Sequence, residues 1–271
     1  MQLKSSASYY LNMNSLYNYI NNVKKVDAHI HLFNHKEFIP TQTEYEMYVA
    51  FGDVEFDTEE TLHKKYYEFM DGIADNIIPL CTGRTIDEIA QIYKKHSDKF
   101  KGFGEIKMYS KYQDKEVNYK KISLLRDVCK LSKESGNKPI YFHWEVETIK
   151  DVTKITKVIK DYPSIKFVWC HCGMWDGGDN DFIFNQVRQA AMECGNLWLD
   201  VSYTALNYFA DKCLLKITQL PLDRVVVGSD LNVKIFSKKH SPKEIVIIYD
   251  KMKQVREFVN SDMNIKKLFG V

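Results

Sequence analysis

Five residues of this 271-residue chain have the types and the spacing to grip a divalent metal ion. His29 and His31 stand in Asp27-Ala28-His29-Ile30-His31, His143 in Tyr141-Phe142-His143-Trp144, and His171 in Trp169-Cys170-His171-Cys172-Gly173. Asp230 closes Val225-Val226-Val227-Gly228-Ser229-Asp230. Neutral imidazole nitrogens and carboxylate oxygens are donors that zinc and similar ions accept. Alternate residues of a strand point the same way, so His29 and His31 present two imidazoles to one side. Singly, each histidine reads as a hydrogen-bonded core residue and Asp230 as a turn or cap residue. Together, each at the end of an apolar run, they predict a metal site.

The elements that must position them follow α/β grammar, a short β-branched or aromatic run and then a helical stretch. Candidate strands are Val26 to Phe33, Ala74 to Cys81, Phe100 to Met108, Pro139 to Glu145, Ile165 to Cys172, Leu197 to Tyr203 and Arg224 to Asp230. Their nearly continuous apolar character fits parallel strands buried on both faces. Between them, Thr85 with Glu88 forms a capping box, and Ile149, Val152, Ile155, Val158 and Ile159 recur at helical spacing before Asp161-Tyr162-Pro163-Ser164. Ser241, Pro242 and Glu244 start a further helix. Seven strands are one short of a closed (β/α)8 barrel, and Met47 to Val54 is the place for the eighth. His143 and His171 are 28 residues apart, one strand-helix-strand unit, and His171 and Asp230 are 59 apart, two such units. If Asp230 ends the eighth strand, the two histidines end the fifth and sixth, on the face where barrel enzymes place their chemistry. Residues 1–24, rich in Asn and Tyr, are expected to form a helical extension before a single barrel over 25–271.

A first-strand H-x-H, a fifth-strand His, a sixth-strand His and an eighth-strand Asp resemble the amidohydrolase superfamily of metal-dependent hydrolases. The resemblance is to its amidohydrolase-related (amidohydrolase 2) group, which also includes aminocarboxymuconate-semialdehyde decarboxylase. It runs from Val26 onward: Gly102-Phe103-Gly104-Glu105-Ile106-Lys107 is similar to a fourth-strand motif of the group, Val227-Gly228-Ser229-Asp230 to its eighth-strand motif, and Asn264-Ile265-Lys266-Lys267-Leu268-Phe269-Gly270 to its C-terminal ending.

The resemblance implies one divalent ion, zinc by preference, on His29, His31, His143 and Asp230, with Glu105 as a further ligand and a second ion left open. Such an ion lowers the pKa of a bound water from 15.7 towards about 7 and polarises a substrate oxygen. Asp230 is then the residue to take the proton of that water. His171 is either a ligand or, as in the single-metal branch, free to polarise substrate. Glu105 and Lys107 share strand parity; Glu105 resembles the bridging acid of the superfamily's small deoxyribonucleases, whereas a carboxylated Lys107 would belong to phosphotriesterase-like members. Trp144, Trp175, Tyr203 and Asn232 are candidates to line the substrate pocket, with Asp176 beside them. Cys170 and Cys172 read as core thiols, Arg188 as a solvated charge, and Lys234 to Lys243 as a solvated loop that would attract an anionic substrate if it faced the site.

Composition bounds the partners. The 38 Lys and Arg against 36 Asp and Glu leave a net charge of +2, too little to collect nucleic acid or an anionic membrane. No apolar run approaches the roughly 20 residues of a membrane span. Six cysteines without a paired framework, and an opening Met1-Gln2-Leu3-Lys4-Ser5-Ser6 without an apolar stretch, predict a cytoplasmic protein. The reading is a cytoplasmic, zinc-dependent hydrolase acting on a small carboxylated or cyclic ester, lactone or amide, with a homo-oligomer compatible. A non-oxidative decarboxylase on the same scaffold is the first rival, a catalytically silent metal-binding barrel the second.

Overall fold

The computed structural model describes residues 26–31, 48–51, 77–108, 115–232 and 242–271. Eight short strands follow one another: β1 (Asp27–His31), β2 (Tyr48–Phe51), β3 (Ile77–Cys81), β4 (Gly102–Lys107), β5 (Ile140–His143), β6 (Phe167–Trp169), β7 (Leu197–Val201) and β8 (Val225–Val227). Each pairs in parallel with the next. Beyond Asp230 the two-residue β9 (Leu231–Asn232) pairs in parallel with β1, placing His31 opposite Asn232, so the sheet returns to its start as a (β/α)8 barrel. The eighth strand expected within Met47 to Val54 is β2. The helical extension expected over 1–24 lies outside the described residues, as does most of the lysine-rich loop.

Helices α1 (Ile86–Lys95), α2 (Lys115–Glu134), α3 (Ile149–Asp161) and α4 (Asn180–Glu193) follow β3, β4, β5 and β6 in turn. The Thr85 hydroxyl accepts from Glu88 N–H at 3.2 Å, as a cap should, but the Glu88 carboxylate turns to the N–H of Arg84 at 2.7 Å instead of closing the box on the cap residue. In α3, capped by Thr148 and Asp151, Val152, Ile155, Val158 and Ile159 bury one face, each worth about 1.5–3 kcal/mol when fully buried. After β7 the chain winds through α5 (Tyr203–Asn207), a π turn (Tyr208–Lys212) and α6 (Leu214–Ile217), and it ends in α7 (Pro242–Val259) and α8 (Ser261–Phe269).

Two buried clusters result. The larger lies between strands and helices; the smaller takes Ala28, Val49, Ile78, Leu80, Tyr141, Val168, Trp198 and Val226 from every strand but β4 and is plugged by Ile265 and Leu268 of α8. Lys166, just before β6, donates to the carbonyls of Lys267 and Leu268, which fixes the plug at the amino ends of the strands. Asn264 holds it there: its amide nitrogen reaches the carbonyls of Leu222, Val225 and Val259 at 2.7, 2.6 and 2.9 Å.

Candidate active site

Two strands are irregular just beneath the residues that matter. Pairing of β1 with β2 shifts register between Asp27 and Ile30, and pairing of β4 with β5 shifts between Phe103 and Ile106. Bulges of this kind re-aim side chains. Here they accompany His29 and His31 on one strand and Glu105 and Lys107 on the other, all gathered at one mouth.

β8 is brought against β1 without a spacer. A Cβ on Gly228 would lie 2.4 Å from the Cβ of His29 and 2.5 Å from its nitrogen, so only glycine fits there. The Asp27 carboxylate then clamps the turn, accepting from Ser229 N–H at 2.9 Å, Ser229 Oγ–H at 2.6 Å and His29 N–H at 3.1 Å. Asp230 N–H donates to the His29 carbonyl at 2.8 Å. These bonds aim Asp230 at the H-x-H pair from a left-handed backbone conformation, φ 57°. His171 (φ 54°), Cys172 (φ 51°) and Tyr203 (φ 45°) share that conformation at the same rim, and each such non-glycine residue costs of order 1–3 kcal/mol that its surroundings must supply. His171 was expected at a strand end; β6 stops at Trp169, and His171 rides on the turn Cys170–Gly173, with left-handed backbone at His171 and Cys172.

Among the described residues four overlapping groups of donor atoms lie close enough to hold an ion, and two of them consist wholly of the expected ligands. His29 Nε2, His31 Nε2 and Asp230 Oδ1 form a triangle with edges of 3.3, 3.2 and 3.1 Å. Ligands of a tetrahedral zinc with bonds of about 2.0–2.1 Å sit about 3.3 Å apart, so this triangle fits the ion. Glu105, His143 and His171 make the second group: His143 Nδ1 lies 2.7 Å from Glu105 Oε1 and His171 Nε2 lies 3.5 Å from it. Glu105 joins the groups, 4.0 Å from His29 Nε2 and 3.7 Å from His31 Nε2. All are buried except Asp230, whose side chain keeps 17% of its exposure.

Burial opposes charge on Glu105, Asp230, His29, His171 and His143, and charge prevails at the first four. Burial alone would raise Glu105, but His143 and Lys107 outweigh it and hold its carboxyl well below the ordinary range. Asp230 is likewise held well below by His171 and His29 against burial. Burial pushes His29 down while Asp200 and Asp230 lift it well above the usual imidazole value, and His171 is raised against burial by Asp230 and Glu105. His143 is lowered, burial winning over Glu105. With only the protein's own groups to answer them, the buried carboxylates draw protons onto histidines; a cation fits the same demand, displacing those protons.

No family model and no curated protein sequence matches the chain. Solved structures do. A probable 2-pyrone-4,6-dicarboxylic acid hydrolase from Acinetobacter baumannii, solved with citric acid bound, aligns over 91% of this chain and 99% of its own with a TM-score of 0.58 at 13% identity. An amidohydrolase from Burkholderia multivorans with bound zinc aligns over 92% and 99% with a TM-score of 0.57 at 10% identity. A TatD family hydrolase from Entamoeba histolytica aligns over 83% and 85% with a TM-score of 0.54 at 17% identity. The fold is that of the amidohydrolase barrels.

Of the remaining expected residues, Tyr203 stands beside the histidines, whereas Trp144, expected to line the pocket, lies in the core. The Tyr203 ring meets His171 edge-on at 6.1 Å, and its hydroxyl donates to Asp176 Oδ2 at 3.3 Å. Trp175 is half-buried and donates from Nε1 to the Val146 carbonyl at 3.1 Å, while Trp144 is buried in the larger core. Asn232 is described by its backbone pairing with β1 alone. Lys107 Nζ stands 3.6 Å from Glu105 Oε2 and its side chain is 9% exposed. Cys170 and Cys172 are buried thiols, as expected, whereas Arg188 is half-buried rather than solvated. Asp200 and Ser202 escaped the sequence reading. Asp200 Oδ2 lies 2.7 Å from His29 Nδ1, and Ser202 Oγ lies 2.8 Å from His171 Nδ1. A charged residue inside the apolar run Leu197-Trp198-Leu199-Asp200-Val201 was the signal available.

Proposed function

We propose that the chain is a zinc-dependent hydrolase of the amidohydrolase-related group, acting on a small carboxylated or cyclic ester, lactone or amide in the cytoplasm, without a nucleic-acid or membrane partner. The observation that carries this is the triangle of His29 Nε2, His31 Nε2 and Asp230 Oδ1, with edges of 3.3, 3.2 and 3.1 Å at the mouth of an amidohydrolase-type barrel. His29, His31 and Asp230 hold the ion, with Glu105 and His143 beside them. When bound, the ion supplies Lewis acidity, lowering the pKa of a water molecule and polarising a substrate carbonyl.

The protein's own groups do the rest. Asp230, held ionised and partly exposed, accepts the proton of the attacking water and returns it to the leaving group. His171 faces Glu105 and Asp230 through Nε2 and, in its cationic form, is placed to donate from that nitrogen to the substrate oxygen as charge develops there. Tyr203, beside His171 and tied to Asp176, borders the substrate, with Trp175 and Asn232 near it.

The test is an assay of acid release and of CO2 release across small lactones, esters, amides and aromatic carboxylates, before and after chelation. Chelator-sensitive acid release without CO2 is the expected result. CO2 release would assign the decarboxylase instead, and a zinc-loaded protein inert on the whole panel would favour a silent metal-binding barrel.

A further inference from the structure

Beneath the donor groups, two β7-end residues join them. Asp200 is fully buried, and its Oδ2 meets His29 Nδ1 at 2.7 Å, Ser202 Oγ at 2.6 Å and the His171 N–H at 3.4 Å. Ser202, also fully buried, lies 2.8 Å from His171 Nδ1 and 3.4 Å from His29 Nδ1. The other Asp200 oxygen, Oδ1, is buried and meets no donor among the described residues. The hydrogen-bonding work of this carboxylate is therefore concentrated on the histidine side of the barrel.

The proton count follows from which groups can donate. A carboxylate oxygen accepts, so His29 Nδ1 must carry the hydrogen of the 2.7 Å contact. Ser202 has one hydroxyl proton, and the 2.6 Å contact to Asp200 takes it. What Ser202 then offers His171 is a lone pair, so His171 Nδ1 must also be the protonated nitrogen. Both rings keep Nε2 for the mouth: His29 Nε2 towards His31 and Asp230, His171 Nε2 towards Glu105 and Asp230 at 3.5 and 3.9 Å.

We propose that Asp200 and Ser202 are positioning residues, a buried relay that fixes the hydrogen of both His29 and His171 on Nδ1 and so aims both Nε2 atoms into the site. The metal part of this rests on the function proposed above; the protonation pattern does not. An acidic partner behind a ligating histidine sets ring orientation and raises ligand basicity, and its loss typically weakens metal binding about 10–100-fold.

Two measurements test it. Long-range ¹H–¹⁵N correlation of imidazole-labelled protein, with His29→Gln and His171→Gln variants for assignment and at a pH high enough to make both rings neutral, should show Nδ1 protonated and Nε2 unprotonated in both residues of the metal-free wild-type chain. An unprotonated Nδ1 in either ring overturns the relay, whatever the protein binds. Zinc dissociation constants by chelator competition should rise about 10–100-fold in Asp200→Asn, and Ser202→Ala should release the His171 proton to either nitrogen. Wild-type zinc affinity, within threefold, in a folded Asp200→Asn would overturn the positioning role. If that variant does not fold, Ser202→Ala decides: a His171 still held as the Nδ1–H form overturns Ser202's part. A wild-type chain with both rings protonated at Nδ1 but no zinc affinity would sink the metal reading and leave the relay standing.

Discussion

Asp230 is asked to do two things, to hold an ion and to take a proton, and its surroundings suit both. It lies 3.1 and 3.2 Å from the two H-x-H nitrogens and keeps the exposure that its neighbours lack. Asp230→Asn should therefore retain the fold and lose turnover by about a hundredfold to ten-thousandfold, the usual loss on removing a general base; a kcat within a few fold of wild type would assign the proton transfer elsewhere. Lys107 invites the opposite expectation. Its ammonium lies 3.6 Å from the Glu105 carboxylate, and the positive charge is what that carboxylate uses, so electron density at Lys107 should end at a free amine; a planar extension between two metal ions would move the protein to the phosphotriesterase-like branch. Histidines and aspartate at strand ends were legible because their residue types are unusual in apolar runs. Asp200 offered the same signal inside its apolar run, but its role and that of Ser202 were not legible, because nothing in their spacing records which histidine they face.

At the level of elements, the site depends on β8 lying hard against β1. Gly228→Ala puts a methyl 2.4 Å from the His29 Cβ, and since the obstacle is backbone and Cβ, one of the two strands must move. Zinc affinity should fall by more than tenfold, about 1.4 kcal/mol or more, and unaltered affinity by chelator competition would show that the approach is not needed. The far end of the barrel has its own latch. Asn264→Ala leaves three carbonyls short of a donor, a loss of about 1–3 kcal/mol, visible as a fall in Tm of roughly 2–4 °C per kcal/mol in a chain of this size, with zinc affinity unchanged. Strand order could be read from alternating apolar runs and helix caps, down to β2 inside the stretch Met47 to Val54. The turn carrying His171 could not, since Phe167 to Cys172 is uniformly apolar apart from the histidine, and a strand and a tight turn of that composition read alike. The register shifts in β1 and β4 were hidden for the same reason: a one-residue slip changes the facing of side chains without changing their order.

For the whole molecule, the buried carboxylates couple metal, protons and stability. His29 has its folded pKa raised well above the usual value by Asp200 and Asp230 against burial. A group raised in this way stabilises the fold fully below its unfolded value near about 6.5, and the contribution is lost as pH rises through the folded value. The Tm of metal-free protein should therefore decline as pH climbs above about 6.5, and zinc binding in that window should release protons, seen as a dependence of the binding heat on buffer ionisation. Binding heats independent of buffer would mean that the histidines are already neutral. The most direct test of the central claim is anomalous diffraction at the zinc edge on crystals of the zinc-loaded protein. The account predicts a peak about 2.0–2.1 Å from the Nε2 atoms of His29 and His31, with Asp230 Oδ1 also coordinated, and no such peak in the His29→Ala plus His31→Ala variant; a zinc peak lying elsewhere, or undiminished in that variant, would contradict it.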